Sequence, residues 1–227
     1  MNKLKTAIVI PAYNENSTIS TVVKKAKKYG DVIVVDDGSS DNTEKLAEKS
    51  GAFVLSTVKN SGKGNALRKG CDYASKKYEI IIAMDADGQH DAEDIPLFIE
   101  HLNEFDYDLV LGYRKEQGMY FYYKIGNYIL NLAFAILYGR RIKDTQSGFR
   151  AFKSKIYPLI RWNAQKYDIE NEMLVRMLKN KIKYAQISII SIHHSELKRK
   201  GTNLKDAVRL FFNLLKWRVF GLGENEQ

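Results

Sequence analysis

The sequence predicts an α/β protein with a mostly parallel central sheet, helices on both faces of that sheet, and amphipathic helices toward the C-terminus. Three observations carry that prediction. Short apolar runs alternate with segments of helical spacing through residues 6–114, which is the pattern of βαβ units. The apolar runs are continuous rather than alternating, as expected of strands covered on both faces. The chain has 227 residues, 44% of them hydrophobic, enough for one substantial core and little more. A single domain over 1–227 is therefore expected, with halves at 1–114 and 115–203 and a basic tail at 204–227.

The elements follow in order. TAIVIPA (6–12) is a β-rich run, and residues 16–29 space Ile19, Val22, Val23 and Ala26 as on a helix. DVIVVDD (31–37) is the second strand, and Asp41-Asn42-Thr43-Glu44 opens a helix. GAFVLST (51–57) is the third strand, followed by a helix over 62–77 with Ala66, Leu67, Gly70 and Ala74 on one side. EIIIAMD (79–85) is the fourth strand, Ile95–Leu102 a helix, and DLVLGYR (108–114) the fifth strand. Beyond these come a long aromatic stretch (118–138), a polar loop KDTQSGFRAF (143–152), a helix over 168–180 and a strand KYAQISIISI (183–192). A loop HHSELKRKGTN (193–203) leads to a basic amphipathic helix from 204.

Composition narrows the chemistry. A net charge of +9 suits anionic lipid, phosphorylated substrates or nucleic acid, although many lysines sit on helical segments where they face water. One cysteine, Cys71, excludes an intramolecular disulfide and fits a reducing compartment. The first residues do not read as a secretory signal, and no window holds about 18 consecutive apolar residues.

Ligands of open α/β sheets bind beyond the carboxyl ends of the strands. Three such ends are acidic or polar: Pro11-Ala12-Tyr13-Asn14-Glu15, Asp36-Asp37-Gly38-Ser39 and Asp85-Ala86-Asp87-Gly88-Gln89. Carboxylates gathered in one cleft repel, and a hard divalent cation relieves them. Asp85, Asp87 and the amide oxygen of Gln89 are candidate ligands for Mg²⁺ or Mn²⁺. An Asx-rich turn without metal explains an isolated pair equally well. Here the pair follows an apolar strand and shares the strand-end side with two other polar loops. Asn60–Asn65 adds Lys63 at a helix start, where N–H groups can meet phosphate or sugar oxygens. It is neither a Walker A loop nor a dinucleotide fingerprint.

VIPAYNE (9–15), VVDDGSSD (34–41), NSGKGNAL (60–67), DADGQH (85–90), GYR (112–114) and SGFR (147–150) occur in that order. Together they resemble the family 2 glycosyltransferases, nearest to the dolichyl-phosphate mannose synthase and polyprenyl-phosphate glycosyltransferase branch. The resemblance spans about residues 6–205. It implies a GT-A, Rossmann-like fold, with 1–114 binding a nucleotide-sugar of GDP-mannose or UDP-glucose type and 115–203 on the acceptor side. By resemblance Asp37 meets the base, near Pro11, Tyr13 and Glu15, with Gly38, Lys63 and Ala86 in the same nucleotide-sugar site. Asp85, Asp87 and Gln89 resemble the metal ligands, and Arg114 a phosphate-contacting arginine. Asp144, Ser147 and Arg150 fall on the acceptor-side loop. Lys198 or Arg199 resembles the holder of the acceptor phosphate, in a segment that departs from the family's usual Arg-x-x-Gly-x-Ser-Lys.

The implied reaction moves a hexose to a polyprenyl phosphate with inversion, catalysed by Asp87, Arg114 and Asp144. A saccharide acceptor is the alternative. It needs a base, with Asp144 first and Asp168 or Glu170 next, although the last two also fit a helix start placed against the macrodipole. A nucleotidylyltransferase would need a Gly-rich basic loop after the first strand, which is absent. A nucleic-acid-binding protein would not place acids at strand ends, so no nucleic-acid partner is expected.

Residues 118–138 carry one charge, Lys124, and many aromatic rings, and 204–220 pairs Leu210, Phe211, Leu214, Leu215, Trp217 and Phe220 with Lys205, Arg209, Lys216 and Arg218. Packing against the sheet accounts for such segments; so does an interfacial helix on anionic lipid. Beside the resemblance they suggest peripheral attachment at the cytoplasmic face of a membrane. His193 and His194, adjacent at a strand end, are poorly spaced for one metal ion.

Overall fold

The computed structural model describes residues 5–114, 121–164, 168–190, 192 and 204–222, with the side chains of 121–124 and 204–207 not described. A seven-stranded sheet forms the centre. Its strands are β1 (Thr6–Ala12), β2 (Asp31–Asp36), β3 (Phe53–Ser56), β4 (Ile80–Ala83), β5 (Leu109–Arg114), β6 (Arg150–Lys153) and β7 (Tyr184–Ile189). The order across the sheet is β3-β2-β1-β4-β6-β5-β7.

β1 pairs in parallel with β2 and β4, β2 with β3, and β5 with β7. β6 alone runs antiparallel, wedged between β4 and β5. The expectation of a polar loop through 143–152 is corrected here. β6 is only four residues long and opens on Arg150, so its pattern is dominated by a charge that the fold buries.

Side chains along each strand alternate between two cores, as the pleat requires. Ala7, Val9, Ile33, Val35, Ile81 and Ala83 face α3 (Lys63–Ala74), which presents Ala66, Leu67, Cys71 and Ala74. Ile8, Ile10, Val32, Val34, Ile80 and Ile82 face α1 (Ile19–Ala26) and α4 (Ile95–Asn103). α2 (Thr43–Lys49) adds Ala47 to the second core. The helices thus cover both faces, each through an apolar stripe at three- and four-residue spacing.

The remaining helices are α5 (Phe121–Tyr138), a single turn α6 (Tyr157–Ile160), α7 (Ile169–Lys179) and α8 (Leu204–Phe220). α5 and α8 pack on one another, and the Tyr138 hydroxyl donates to the Leu214 carbonyl at 2.9 Å. Among the described residues, no helix is long and apolar enough to cross a membrane.

Candidate active site

Parallel register brings the carboxyl ends of β1, β2 and β4 to the same side of the sheet, so their loops share one opening. A cavity of about 420 Å³ lies there, lined by Pro11, Tyr13, Glu15, Asp37, Lys63, Asp85, Ala86 and Asp87 among others. Every residue expected to bind a nucleotide-sugar lines this cavity except Gly38. That glycine holds a φ of +72°, and a Cβ there would stand 2.8 Å from the Lys59 carbonyl carbon. It therefore lets the loop after β2 pass under residues 59–60, a backbone role rather than a contact.

The loops are tied to each other before any ligand arrives. Asn14 donates its N–H to Ser39 Oγ at 2.9 Å, and its side-chain oxygen accepts from the Ser40 N–H at 2.9 Å. Asp36 caps its own turn by accepting from the Ser39 N–H and hydroxyl. Asp37, 2% exposed, accepts from the Ser61 N–H at 2.9 Å, the Ser61 hydroxyl at 2.7 Å, the Gly62 N–H at 2.7 Å and the Thr57 hydroxyl at 3.3 Å. Its carboxylate latches residues 57–62 and the start of α3 in place. The expectation that Asp37 meets a base directly encounters a group already committed to these four donors.

The loop after β4 is built differently. Lys63, the first residue of α3, reaches Asp85 Oδ1 at 2.8 Å and Glu170 Oε1 at 2.9 Å. His90 accepts the Asp85 N–H on Nδ1 at 3.2 Å, which leaves its proton on Nε2, 3.9 Å from Asp85 Oδ2. The ring stacks on Phe149, with centroids 4.8 Å apart. Among the described residues, Asp87 Oδ1 accepts a main-chain bond from the Gln89 N–H at 3.0 Å. Gln89 supports Asp87 through its main chain and does not line the cavity, so the expectation of its amide oxygen as a ligand gains no geometric support.

The electrostatics separate the two carboxyls. Burial opposes charge on Asp85, yet the Lys63 ammonium, with His90 and Arg114 adding to it, lowers its pKa to about 2. Burial and then the Asp85 charge push the Asp87 carboxyl upward. Burial disfavours a charged Lys63, but Asp85 and Glu170 together hold it well above an ordinary lysine. Burial wins at His90, whose pKa falls.

Arg114, at the end of β5, clasps Asp144 in a bidentate pair, Nε to Oδ2 at 2.7 Å and Nη2 to Oδ1 at 3.1 Å. Asn127 of α5 and the Gln146 N–H also donate to Asp144. Burial penalises both charges, and their mutual attraction outweighs it, lowering Asp144 and raising Arg114. Asp85 and Asp87 stabilise the guanidinium further, so Arg114 stands on the same side of the site.

Ser147 and Arg150 are each 2% exposed. Arg150 spends its guanidinium on the carbonyls of Ser147, Glu170 and Thr145, bracing the 144–150 loop against α7. The acceptor contact expected of Arg150 meets a guanidinium already engaged with these three carbonyls. Gly148 between them backs the Lys63–Asp85 pair: a Cβ there would lie 3.0 Å from both Asp85 oxygens and from Lys63 Nζ. Lys198, Arg199, His193 and His194 lie outside the described residues.

Sequence reading gave Glu170 less weight than it merits. It is 5% exposed and paired with Lys63, where a plain helix-start charge would face water. Ser61 and Thr57 were missed as partners of Asp37, and His90 was given no role. The only signal was their place inside or beside the motifs NSGKGNAL and DADGQH.

The sequence profile described as Glycosyl transferase family 2 matches residues 7–162. The chain belongs to glycosyltransferase family 2. This family 2 enzyme is 30% identical over 242 residues to the UDP-N-acetylglucosamine–dolichyl-phosphate N-acetylglucosaminyltransferase of Methanococcus voltae, covering 93% of this chain and 95% of that one. It is 28% identical over 230 residues to the dolichol-phosphate mannosyltransferase of Pyrococcus furiosus, covering 94% of this chain and 64% of that one. Its fold matches that of glucosyl-3-phosphoglycerate synthase from Mycobacterium tuberculosis, crystallised with Mn²⁺, UDP-glucose and phosphoglyceric acid. The TM-score is 0.76 at 22% identity, over 95% of this chain and 79% of that one. The glycosyltransferase thus has the GT-A fold.

Proposed function

We propose that this glycosyltransferase moves a hexose or N-acetylhexosamine from a nucleotide-sugar to a polyprenyl phosphate, inverting the anomeric centre. The observation that carries the reading is the meeting of Tyr13, Lys63, Asp85 and Asp87 around one cavity at the carboxyl ends of β1, β2 and β4. Residues 1–114 then serve the donor and 115–203 the acceptor, within one catalytic domain.

The residues present fit a divalent cation. Asp85 and Asp87 both line the cavity, and Asp87's raised pKa, caused by burial and then by its neighbour's charge, marks negative charge left uncompensated. Among the described residues no group of three or more acidic, His or Cys side chains could hold a metal. Two carboxylates with the other positions left to water and phosphate suit Mg²⁺ or Mn²⁺. When bound on Asp85 and Asp87, such a cation supplies positive charge to a departing diphosphate.

The protein's own residues do the rest. Lys63 and Arg114 add positive charge where negative charge develops, and Asp144 keeps Arg114 in a single orientation. Tyr13, 41% exposed at the cavity mouth, offers a ring face to a base. A polyprenyl phosphate is already ionised at pH 7, its second pKa lying at about 6, so positioning replaces general-base catalysis. The candidate bases for a saccharide acceptor are otherwise engaged. Asp144 holds Arg114, Glu170 holds Lys63, and Asp168 accepts from Asn213 at 3.0 Å. That engagement supports the phosphate acceptor.

The same reading puts the enzyme on a membrane surface. α5 and α8 expose Tyr128 (65%), Ile136 (73%), Phe212 (60%) and Phe220 (81%), and α8 carries Arg209, Lys216 and Arg218. Apolar side chains interspersed with basic ones suit the boundary of an anionic bilayer. The test is a transfer screen of UDP- and GDP-sugars with Mg²⁺ or Mn²⁺, with and without a short-chain polyprenyl phosphate. Glycosyl transfer to the lipid phosphate that vanishes in Asp87→Ala supports the proposal. Transfer to free saccharides with none to lipid phosphate rejects it.

A further inference from the structure

Lys63 occupies an unusual place for a residue expected to bind a donor. Its ammonium lies between two carboxylates, 2.8 Å from Asp85 Oδ1 and 2.9 Å from Glu170 Oε1. Asp85 is also a proposed metal ligand, so one oxygen is offered to two cations. Behind the pair stands the backbone of Gly148, where even a Cβ would come within 3.0 Å of Lys63 Nζ and of Asp85. Retreat in that direction is closed. The pair opens toward the cavity instead, with about a quarter of each side chain exposed.

We infer that Lys63 is a built-in placeholder for the divalent cation, and that its exchange makes cation binding conditional on a nucleoside diphosphate. The inference rests on the proposed donor site. A dication on Asp85 repels an ammonium held at the same oxygen. With no diphosphate present, Lys63 must give up Asp85 and keep Glu170 alone, so the bare cation binds weakly. A diphosphate in the cavity offers the displaced ammonium a new anionic partner, and Lys63 moves from Asp85 to it while Glu170 keeps its own bond to the ammonium. Cation and nucleotide therefore raise one another's affinity, and by linkage they do so by the same factor.

The experiment measures Mn²⁺ binding to the full chain by calorimetry or electron spin resonance, alone and with saturating UDP or GDP. The native protein should bind Mn²⁺ weakly alone and at least tenfold more tightly with one of the nucleotides. Lys63→Met should bind Mn²⁺ alone at least tenfold more tightly than the native protein, and its nucleotide enhancement should shrink toward unity. Lys63→Arg keeps the charge and should behave as native. Lys59→Met removes a nearby exposed charge and should shift Mn²⁺ affinity less than twofold. Lys63→Met leaves the Asp85 and Glu170 carboxylates without their ammonium, so Mn²⁺ alone should raise its melting temperature by more than it raises the native one. If Mn²⁺ binds with nucleotide but Lys63→Met and the native protein take bare Mn²⁺ equally, the placeholder is overturned while the donor site stands. If no protein binds Mn²⁺ with either nucleotide, both fall together.

Discussion

The loops after β2 and β4 carry the same residue type at equivalent places, yet they are built to opposite ends. Asp37 is saturated: four donors from residues 57–62 converge on its two oxygens. Among the described residues Asp87 receives one main-chain bond, and the charge of Asp85 raises its pKa beyond what burial alone does. A satisfied buried carboxylate rigidifies its surroundings, whereas an under-compensated one stores affinity for a cation. The difference teaches that an acidic strand end is not a site in itself. What decides is whether the protein has already answered the charge.

The sharpest way to break that comparison is Asp87→Asn. Glycosyl transfer should fall on the order of 100- to 1000-fold, while the melting temperature holds or rises because a like-charge repulsion is gone. A large loss of stability would show that Asp87 is as structural as Asp37. Arg114→Lys comes next. It keeps the charge but loses the fork that grips Asp144, and kcat should drop about 10- to 100-fold with a smaller change in KM. Asp37→Ala should do the reverse of Asp87→Asn. Leaving the Ser61, Gly62 and Thr57 donors unanswered should cost about 2–3 kcal/mol, read from the denaturant midpoint, with nucleotide affinity falling as the loop loosens.

A smaller effect is set by pH. Asp85 has its pKa depressed to about 2 by Lys63 and its neighbours, against burial. A depressed carboxyl stabilises the fold above its unfolded pKa and loses that contribution as pH falls through the folded one. Metal-free native protein should therefore lose melting temperature between about pH 4 and pH 2 more steeply than Asp85→Asn does. Equal acid limbs would show that the Lys63–Asp85 pair contributes nothing to stability. The smallest effect lies on α8: Phe220→Ser should lower binding to anionic vesicles severalfold and leave transfer to a water-soluble short-chain acceptor unchanged.

Much of this is legible in the sequence. β1 to β5 could be read because each is an apolar run closed by turn residues, and TAIVIPA coincides with β1 residue for residue. Asp85 and Asp87 stood out for the same reason. β6 could not be read, because four residues beginning with an arginine carry no period, and what makes them a strand is pairing with β4 and β5, from about 40 to 70 residues away. The latch on Asp37 was hidden because its donors come from 20 to 25 residues away. Glu170 was hidden because an acid in the first turn of a helix looks the same in sequence whether it faces water or a lysine.

The antiparallel wedge has a consequence for how the enzyme is made. β4 and β5 never touch through hydrogen bonds; β6 is the splice between them, and β7 hangs from β5. A polypeptide that has left the ribosome only as far as Arg114 leaves β4 open on one edge and β5 on both, with no backing for Asp85 from Gly148. Exposed edges of that kind invite pairing with other chains. Translation must supply β6, ending at Lys153, before β4 and β5 are joined, and Glu170 after it before Lys63 has both its partners, so the pocket matures late.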